Sequence, residues 1–436
     1  MATRDVSIGP ERFAGTTGFA RAVVPLLILA LLMAVGFTAM GSFGMVQEGA
    51  KAELHLSDAL LGMIQGLGAA VPLVLFSIPV GVLVDRYNRV RLLVVLILLW
   101  TAGTALTAAA PGVAWLVAAR MLTGVGVGGA LTAALSLAAD FCAPAQRGRA
   151  LLIVNLGKSL GVAGAFALTG WLLGWFARGA TPAWLAMAPW RGAHAMLALI
   201  SLVLSLPLLL LREPARHEVE AAPDAPFRVV AAELWARRGF LAPLFAGQVA
   251  VVMADVAAGV WVAPVLQRSY ALKPEDFGGW VGALVFASGV LGSILGGASA
   301  DLGQKSAMRG GLLLGAVIAA GLGVPAALFP VMPGVLAFGI ALFVLVLCGA
   351  VTGIVISVAI TVWLPNELRG LCIGAFIAVA GLIGYGLAPS LVTLISSLIG
   401  GEAYLAPALA IVGVATSAFS FAAFVLAMRR APIKAI

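Results

Sequence analysis

Charged residues are what this sequence has least of. They make up 10% of its 436 residues, against 62% hydrophobic, and the mean hydropathy is +1.11. A soluble domain carries roughly 25% charged residues, so the composition excludes a chain whose main solvent is water. Cysteine is nearly absent. Cys142, Cys348 and Cys372 lack metal-ligand spacing and read as small packing residues, which excludes a disulfide framework. Histidine is equally rare, and His55, His194 and His217 fall in predicted loops or at a helix end. No Ser-His-Asp set, metal cluster or phosphate-cradling loop can be assembled from these residues. A membrane-embedded enzyme is therefore the weaker class, and no cofactor is expected. Without a nucleotide motif, a proton or other cation gradient is the expected energy source. The net charge of +8 comes from basic residues scattered in short loops, which is a topology pattern and not a nucleic-acid surface.

What is present is length of apolar sequence. Runs of about 20 apolar residues recur throughout, each long enough to cross a hydrocarbon core of roughly 30 Å. They are rich in Leu, Ala, Val and Gly, and they lack the alternation of barrel strands, so helices must be the spanning element. The reading is an all-α membrane protein with helices near 22–46, 59–84, 91–110, 113–141, 149–176, 193–211, 239–268, 276–299, 308–329, 335–364, 369–399 and 403–428. Residues 1–211 form one six-helix bundle, 212–238 a polar linker with a short surface helix near Phe227–Arg238, and 239–436 a second bundle. The first 18 residues are largely polar and the first apolar run is too long for a signal-peptide core, so no cleaved leader is expected.

Nineteen Lys and Arg residues fall on the side of the termini and linker, five on the other side (Lys51, Arg178, Arg191, Arg268 and Lys273), and Arg120 and Lys158 inside helices. The positive-inside rule makes the first side cytoplasmic, in what reads as a bacterial inner membrane, for a chain expected to be a monomer among lipids.

The two halves repeat. Gly81-Val-Leu-Val-Asp85 between helices 2 and 3 is echoed by Gly297-Ala-Ser-Ala-Asp301 between helices 8 and 9. Pro144-Ala-Gln-Arg147-Gly148 is echoed by Pro365-Asn-Glu-Leu-Arg369-Gly370. Gly81 suits close helix approach, and Asp85 ends a helix where a carboxylate can bond the exposed amides starting a neighbour.

Four intramembrane polar positions stand out. Arg120, in the outer third of helix 4, must face the bundle interior, a water cavity, a partner or the outer interface. Asp255 lies near the middle of helix 7 and shares a face with Gln248. A charged carboxyl is disfavoured in an apolar surround, so such a group can take up and release a proton; the plainer reading is a structural hydrogen bond. Lys158 and Asn155 share a face of helix 5 beside a stripe of Gly157, Gly161 and Gly164. Lys158 can attract an anion or pair with Asp255 or Asp140. Gln65 on helix 2 is a further pore-lining candidate, and Trp171, Trp175 and Trp261 read as interface or packing residues.

Gly81-Val-Leu-Val-Asp85-Arg86-Tyr87-Asn88-Arg89-Val90-Arg91 resembles the helix 2–3 signature of the major facilitator superfamily, with Asn88 in place of a usual glycine. Leu116-Val-Ala-Ala-Arg120-Met-Leu-Thr-Gly124-Val-Gly126-Val-Gly128 resembles its helix-4 signature. The helix-5 glycine stripe faintly resembles the antiporter signature, with Val162 where proline is usual. The resemblance spans the whole chain. It implies two rocking six-helix halves and a latch in which Asp85, with Arg86 and Arg89, meets helix 11. Leu56-Ser57-Asp58 leading to Gly62 and Gln65, then Trp100 and Leu211-Arg212-Glu213-Pro214, are similar to the Spinster-like branch, associated with lysolipid movement. That branch commonly has an acidic residue in helix 1, and Leu26 to Met45 contains none. The expectation is a secondary transporter of a small organic solute or amphiphile, proton-coupled, with substrate near Arg120, Lys158 and Asp255. An uncoupled facilitator, a lysolipid transporter and a non-transporting receptor are the alternatives.

Overall fold

The computed structural model describes residues 19–143, 146–179, 187–214, 234–306, 308–364, 372, 376 and 378–432. Pro144, His217, Arg369 and Gly370 lie outside them, as do residues 215–233, and so most of the predicted linker and surface helix. Twelve helices among the described residues are long and apolar enough to cross a membrane.

We number them α1 (Phe19–Gly41, continued by Phe43–Leu54), α2 (Asp58–Gln65 and Leu67–Arg86), α3 (Arg89–Ala109), α4 (Val113–Asp140), α5 (Arg147–Ala177), α6 (Pro189–Ser205), α7 (Arg238–Ser269), α8 (Pro274–Lys305), α9 (Leu314–Ala326), α10 (Val335–Trp363), α11 (Ala380–Leu387 and Ala388–Ile399) and α12 (Leu405–Arg429). Local chemistry sets several ends. The Ser57 side chain accepts from Leu60 N at the start of α2, and Asn88 Oδ1 accepts from Arg91 N, 2.8 Å, at the start of α3. Asn88 thus serves as a helix cap where the resemblance has glycine. Two expectations are corrected. The first helix does not stop near residue 46 but runs on to Leu54, because Glu48 and Lys51 find partners within the protein. The sixth starts at Pro189 and not at 193, with proline in the first turn, where its missing N–H costs nothing.

Among the described residues, three helices are broken. α1 turns at Ser42, α2 at Gly66, and α11 opens into a π-helical segment over Ala380–Leu387 that contains Gly381, Gly384 and Gly386. A Cβ on Gly66 would lie 2.3 Å from the Gly386 carbonyl oxygen, so α2 and α11 touch backbone to backbone. The helix-5 stripe packs as expected: a Cβ on Gly157 would lie 2.2 Å from the Ala30 carbonyl oxygen of α1.

The core is not symmetric end to end. At the end away from the termini, one apolar cluster joins both halves, with Phe43, Leu61 and Trp190 of the first half and Trp261, Phe277 and Phe338 of the second. Toward the end carrying the termini the core divides into two clusters. One, around Leu29, Leu93 and Trp100, belongs to the first half, and the other, around Leu244, Ala316 and Phe424, to the second. The halves therefore meet at one end and part toward the other.

Candidate functional site

In the first half, polar side chains gather where α1 and α2 break. Arg120 of α4 is 6% exposed. Its Nη1 donates to the Met40 carbonyl oxygen, 2.8 Å, at the break in α1, and its guanidinium lies 5.7 Å from the centre of the Phe43 ring. Nε is buried without a partner, and none of the ion pairs among the described residues includes Arg120. Gln65, at the break in α2, donates to Gln47 Oε1, 2.9 Å. Gln47 in turn donates to the Val260 carbonyl oxygen of α7, 2.7 Å, and so bridges the halves. His194 is corrected from a helix-end position to a buried one inside α6, where its ring lies 3.3 Å from Ser42 Oγ and from the Trp190 carbonyl.

Lys158 does not pair with Asp140 or Asp255. Its ammonium sits 5.3 Å from the centre of the Phe37 ring of α1, and Asp140 belongs to Arg89. Asn155 is exposed and donates to the Leu151 carbonyl oxygen, 3.0 Å, one turn back.

Asp255 lies in the second half. It borders a cavity of about 20 Å³ walled by α7, α9, α10 and α12. A Cβ on Gly349 would lie 2.1 Å from Asp255 Oδ2, so the carboxylate rests against the backbone of α10 in space that only glycine leaves. Its Oδ1 is buried without a partner, as is Gln248 Oε1 one heptad earlier. Among the described residues, no hydrogen bond or ion pair brings Arg120, Lys158 and Asp255 together. The first two belong to the first half and Asp255 to the interior of the second.

The latch residues divide. Arg89 is 2% exposed and ties the first half to itself. It ion-pairs with Asp140, donates to Ser136 Oγ, 3.0 Å, and donates from Nε to Glu213 Oε1, 2.7 Å. Glu213 Oε2 also accepts from Val90 N, 3.0 Å, so α3, α4 and the segment after α6 are clamped together. Asp85, Arg86 and Asp301 are exposed at the ends of α2 and α8, and Arg147 donates to the Ala139 carbonyl oxygen, 3.3 Å. A Cβ on Gly81 or on Gly297 would meet nothing within 4 Å among the described residues, so the close approach expected at Gly81 is not made in this conformation. The start of helix 11, to which the resemblance assigns the Asp85 contact, lies outside the described residues.

The opposite end carries a cluster that the sequence reading scattered among loops. Arg268 of α7 makes two bonds to Glu48 (3.0 and 2.6 Å) and two to Asp58 (2.6 and 2.8 Å). Lys51 bonds Asp58 at 2.6 Å and also pairs with Glu402, whose Oε1 accepts from Asp58 N, 2.7 Å. Three residues of the first half and two of the second thus form one ionic network. Its sequence trace was the Glu48–Lys51 spacing of three, which continues the periodicity of α1.

Two six-helix halves are thus joined at one end and divided at the other, around buried polar groups. The chain belongs to the Major Facilitator Superfamily, whose profile matches residues 26–328. It is a transporter of that family and not an enzyme. The 3-(3-hydroxy-phenyl)propionate transporter of Escherichia coli is 26% identical over 416 residues, covering 79% of this chain and 97% of the relative. A Haemophilus influenzae protein whose name describes metabolite transport is 36% identical over 152 residues, 33% of this chain and 36% of its own length. Among solved structures, a bacterial homologue of the human lysosomal transporter Spinster superposes with a TM-score of 0.77 at 22% identity. The match covers 95% of this chain and 98% of that one, both for its inward-facing unoccupied structure and for its inward-facing occupied one.

Proposed function

We propose that this protein is a secondary active transporter that carries a small organic carboxylate, driven by a cation gradient through Asp255, with the proton as the simplest driving ion. The observation that carries the substrate class is Arg120. It is a buried guanidinium that bonds one backbone carbonyl, has an unpartnered Nε and has no carboxylate of its own. A buried cation needs a counter-charge, and a substrate carboxylate supplies one. The relative that matches across most of both chains is named for an arylpropionate, which is such an anion.

The test is uptake of labelled 3-(3-hydroxyphenyl)propionate and of its neutral amide into proteoliposomes. Arg120→Ala removes a charge-assisted bond, which is worth about 1.5–3 kcal/mol. KM for the acid is expected to rise about 10- to 100-fold, with little change for the amide. Equal losses for both would remove Arg120 from anion binding.

A second reading, an amphiphile such as a lysolipid, draws on an apolar groove of about 560 Å³ between α7, α11 and α12, lined by Phe245, Val249, Met253, Ile383 and Phe419. Competition of lysophospholipid with the arylpropionate separates the two.

In the same reading both termini are cytoplasmic, in a bacterial inner membrane, from the basic asymmetry of the loops. The divided end then faces the cytoplasm. A cysteine at Pro432 is expected to react with an impermeant maleimide only in inside-out vesicles, and one at His55 only in right-side-out vesicles. The reverse pattern would invert the topology.

A further inference from the structure

The groove of about 560 Å³ between α7, α11 and α12 is apolar along its length, with Thr416 as the one polar side chain among its described lining residues. On α7 it runs from Ala242 to Met253, which is about 16 Å at 1.5 Å per residue. That is roughly one leaflet, half of a hydrocarbon core of about 30 Å. The groove opens outward. Phe419 is 56% exposed and Val379 47%, and large apolar side chains left bare on spanning helices mark a surface that meets lipid.

The same helix faces end in arginine on the side of the termini. Arg238, Ala242, Phe245 and Val249 are spaced i, i+4, i+7 and i+11, which is one stripe of α7. Arg430, just past the end of α12, follows Phe419 by about three turns. The two ends touch, since Arg430 Nη1 donates to the Gly239 carbonyl oxygen, 3.4 Å. Both arginines are exposed, and none of the ion pairs among the described residues includes either. They stand about 6 Å beyond the first lining residue of α7, at 1.5 Å per residue. Trp235 lies beside them, 70% exposed, with the Arg238 guanidinium 5.2 Å from its ring. A tryptophan exposed where a helix leaves the membrane is a headgroup-level anchor. Positive loops satisfy topology whichever way they point. Arginines aligned with an apolar groove add a place for phosphate, whose oxygens match the guanidinium fork.

We propose that this groove holds a resident anionic phospholipid from the leaflet on the side of the termini, with one acyl chain between α7, α11 and α12 and its phosphate on Arg238 and Arg430. The lipid is a bound partner and not a cargo, so the inference depends on neither Arg120 nor Asp255. The apolar lining accepts a chain from any lipid. The two arginines select among headgroups, because an anionic one balances them and a zwitterionic one brings a cation of its own. The chain would also brace α11 where its helix is irregular, since Ile383 belongs to both the lining and the π-helical segment.

The experiment titrates the full chain in detergent with dioleoyl phosphatidylglycerol or dioleoyl phosphatidylcholine and counts bound lipids by native mass spectrometry. One phosphatidylglycerol per chain is expected to bind at least tenfold more tightly than phosphatidylcholine. The double variant Arg238→Gln/Arg430→Gln should bind both lipids at the phosphatidylcholine level, with its melting temperature in detergent alone unchanged. If the double variant does not fold, Arg238→Gln alone should lose at least threefold. Ala246→Phe fills the groove without altering charge and should weaken both lipids. Phosphatidylglycerol should also raise the melting temperature of the wild type by mass action, and that of the double variant no more than phosphatidylcholine does. Equal binding of the two lipids by the wild type overturns the site, as does a preference that survives loss of the arginines. Full displacement by sn-glycerol 3-phosphate would leave a phosphate site without a chain and remove the groove from it. Passage of phosphatidylglycerol between leaflets faster than in protein-free vesicles would make the lipid a cargo and overturn its residence.

Discussion

Asp255→Asn is expected to abolish accumulation of substrate against its gradient while sparing exchange. The amide has the size of the acid, and Gly349 leaves room for it, so the fold should survive. What disappears is the charge. A secondary transporter converts an ion gradient into a substrate gradient only if one group binds the ion in each cycle and releases it on the other side. A neutral amide does neither. Uphill accumulation under an imposed pH or sodium gradient should fall to the equilibrium level, a loss of at least tenfold. Counterflow, which needs only substrate binding and the return of the loaded carrier, should retain a measurable fraction of the wild-type rate. Both assays use the same proteoliposomes, so a folding defect would appear as loss of both. Undiminished accumulation would make Asp255 a structural group. Asp140 and Glu48 are poor replacements, since Arg89 and Arg268 already engage them.

The second large effect concerns Arg268. Its four bonds to Glu48 and Asp58 cross between the halves, and Asp58 is 2% exposed. Removing one partner of a buried pair costs about 3–5 kcal/mol, because the other charge is left uncompensated. Arg268 is itself partly exposed, which lowers that figure. Even about 1.4 kcal/mol shifts a two-state equilibrium tenfold. Because the Arg268 bonds join one half to the other at this end, Arg268→Gln is expected to weaken the joined end selectively and to favour its opening. A reporter cysteine at Leu61, fully buried in the shared core, is expected to react with impermeant maleimide at least tenfold faster in the Arg268→Gln background. Arg268→Lys keeps the charge but loses the double bonding, and should fall between. An unchanged labelling rate would reduce the network to a surface ornament of the fold.

The twelve spans were legible because each is an uninterrupted apolar run long enough to cross a bilayer, a signal that needs no partner. The charges at the helix ends were legible as topology and not as contacts. Glu48, Lys51 and Arg268 look like loop residues until the neighbouring half supplies their partners. Arg120 and Asp255 were legible because ionisable groups are conspicuous inside apolar runs. Their separation into different halves was not, since sequence spacing is silent about which face of a helix meets which neighbour. Gln47 was missed because it sits just past the expected end of the first helix. His194 was missed because Pro189, Trp190 and Arg191 read as loop. The breaks at Ser42 and Gly66 have no local cause as strong as proline, whereas in α11 Pro389 follows just after the π-helical segment. Gly66 lies where the Gly386 carbonyl of the other half leaves no room for a side chain.

That meeting of Gly66 and Gly386 has a mechanical consequence. α2 runs 20 residues beyond it to Arg86, about 30 Å at 1.5 Å per residue. In a rocking of the two halves, backbones in contact there would act as a fulcrum, with the remainder of α2 as the lever arm. Turning that arm by about 10° sweeps its tip through roughly 5 Å at this helical rise, about the width of a side chain. The point of contact barely moves, so the smallest residues stand where displacement is least and the charged ones, Asp85 and Arg86, where it is greatest.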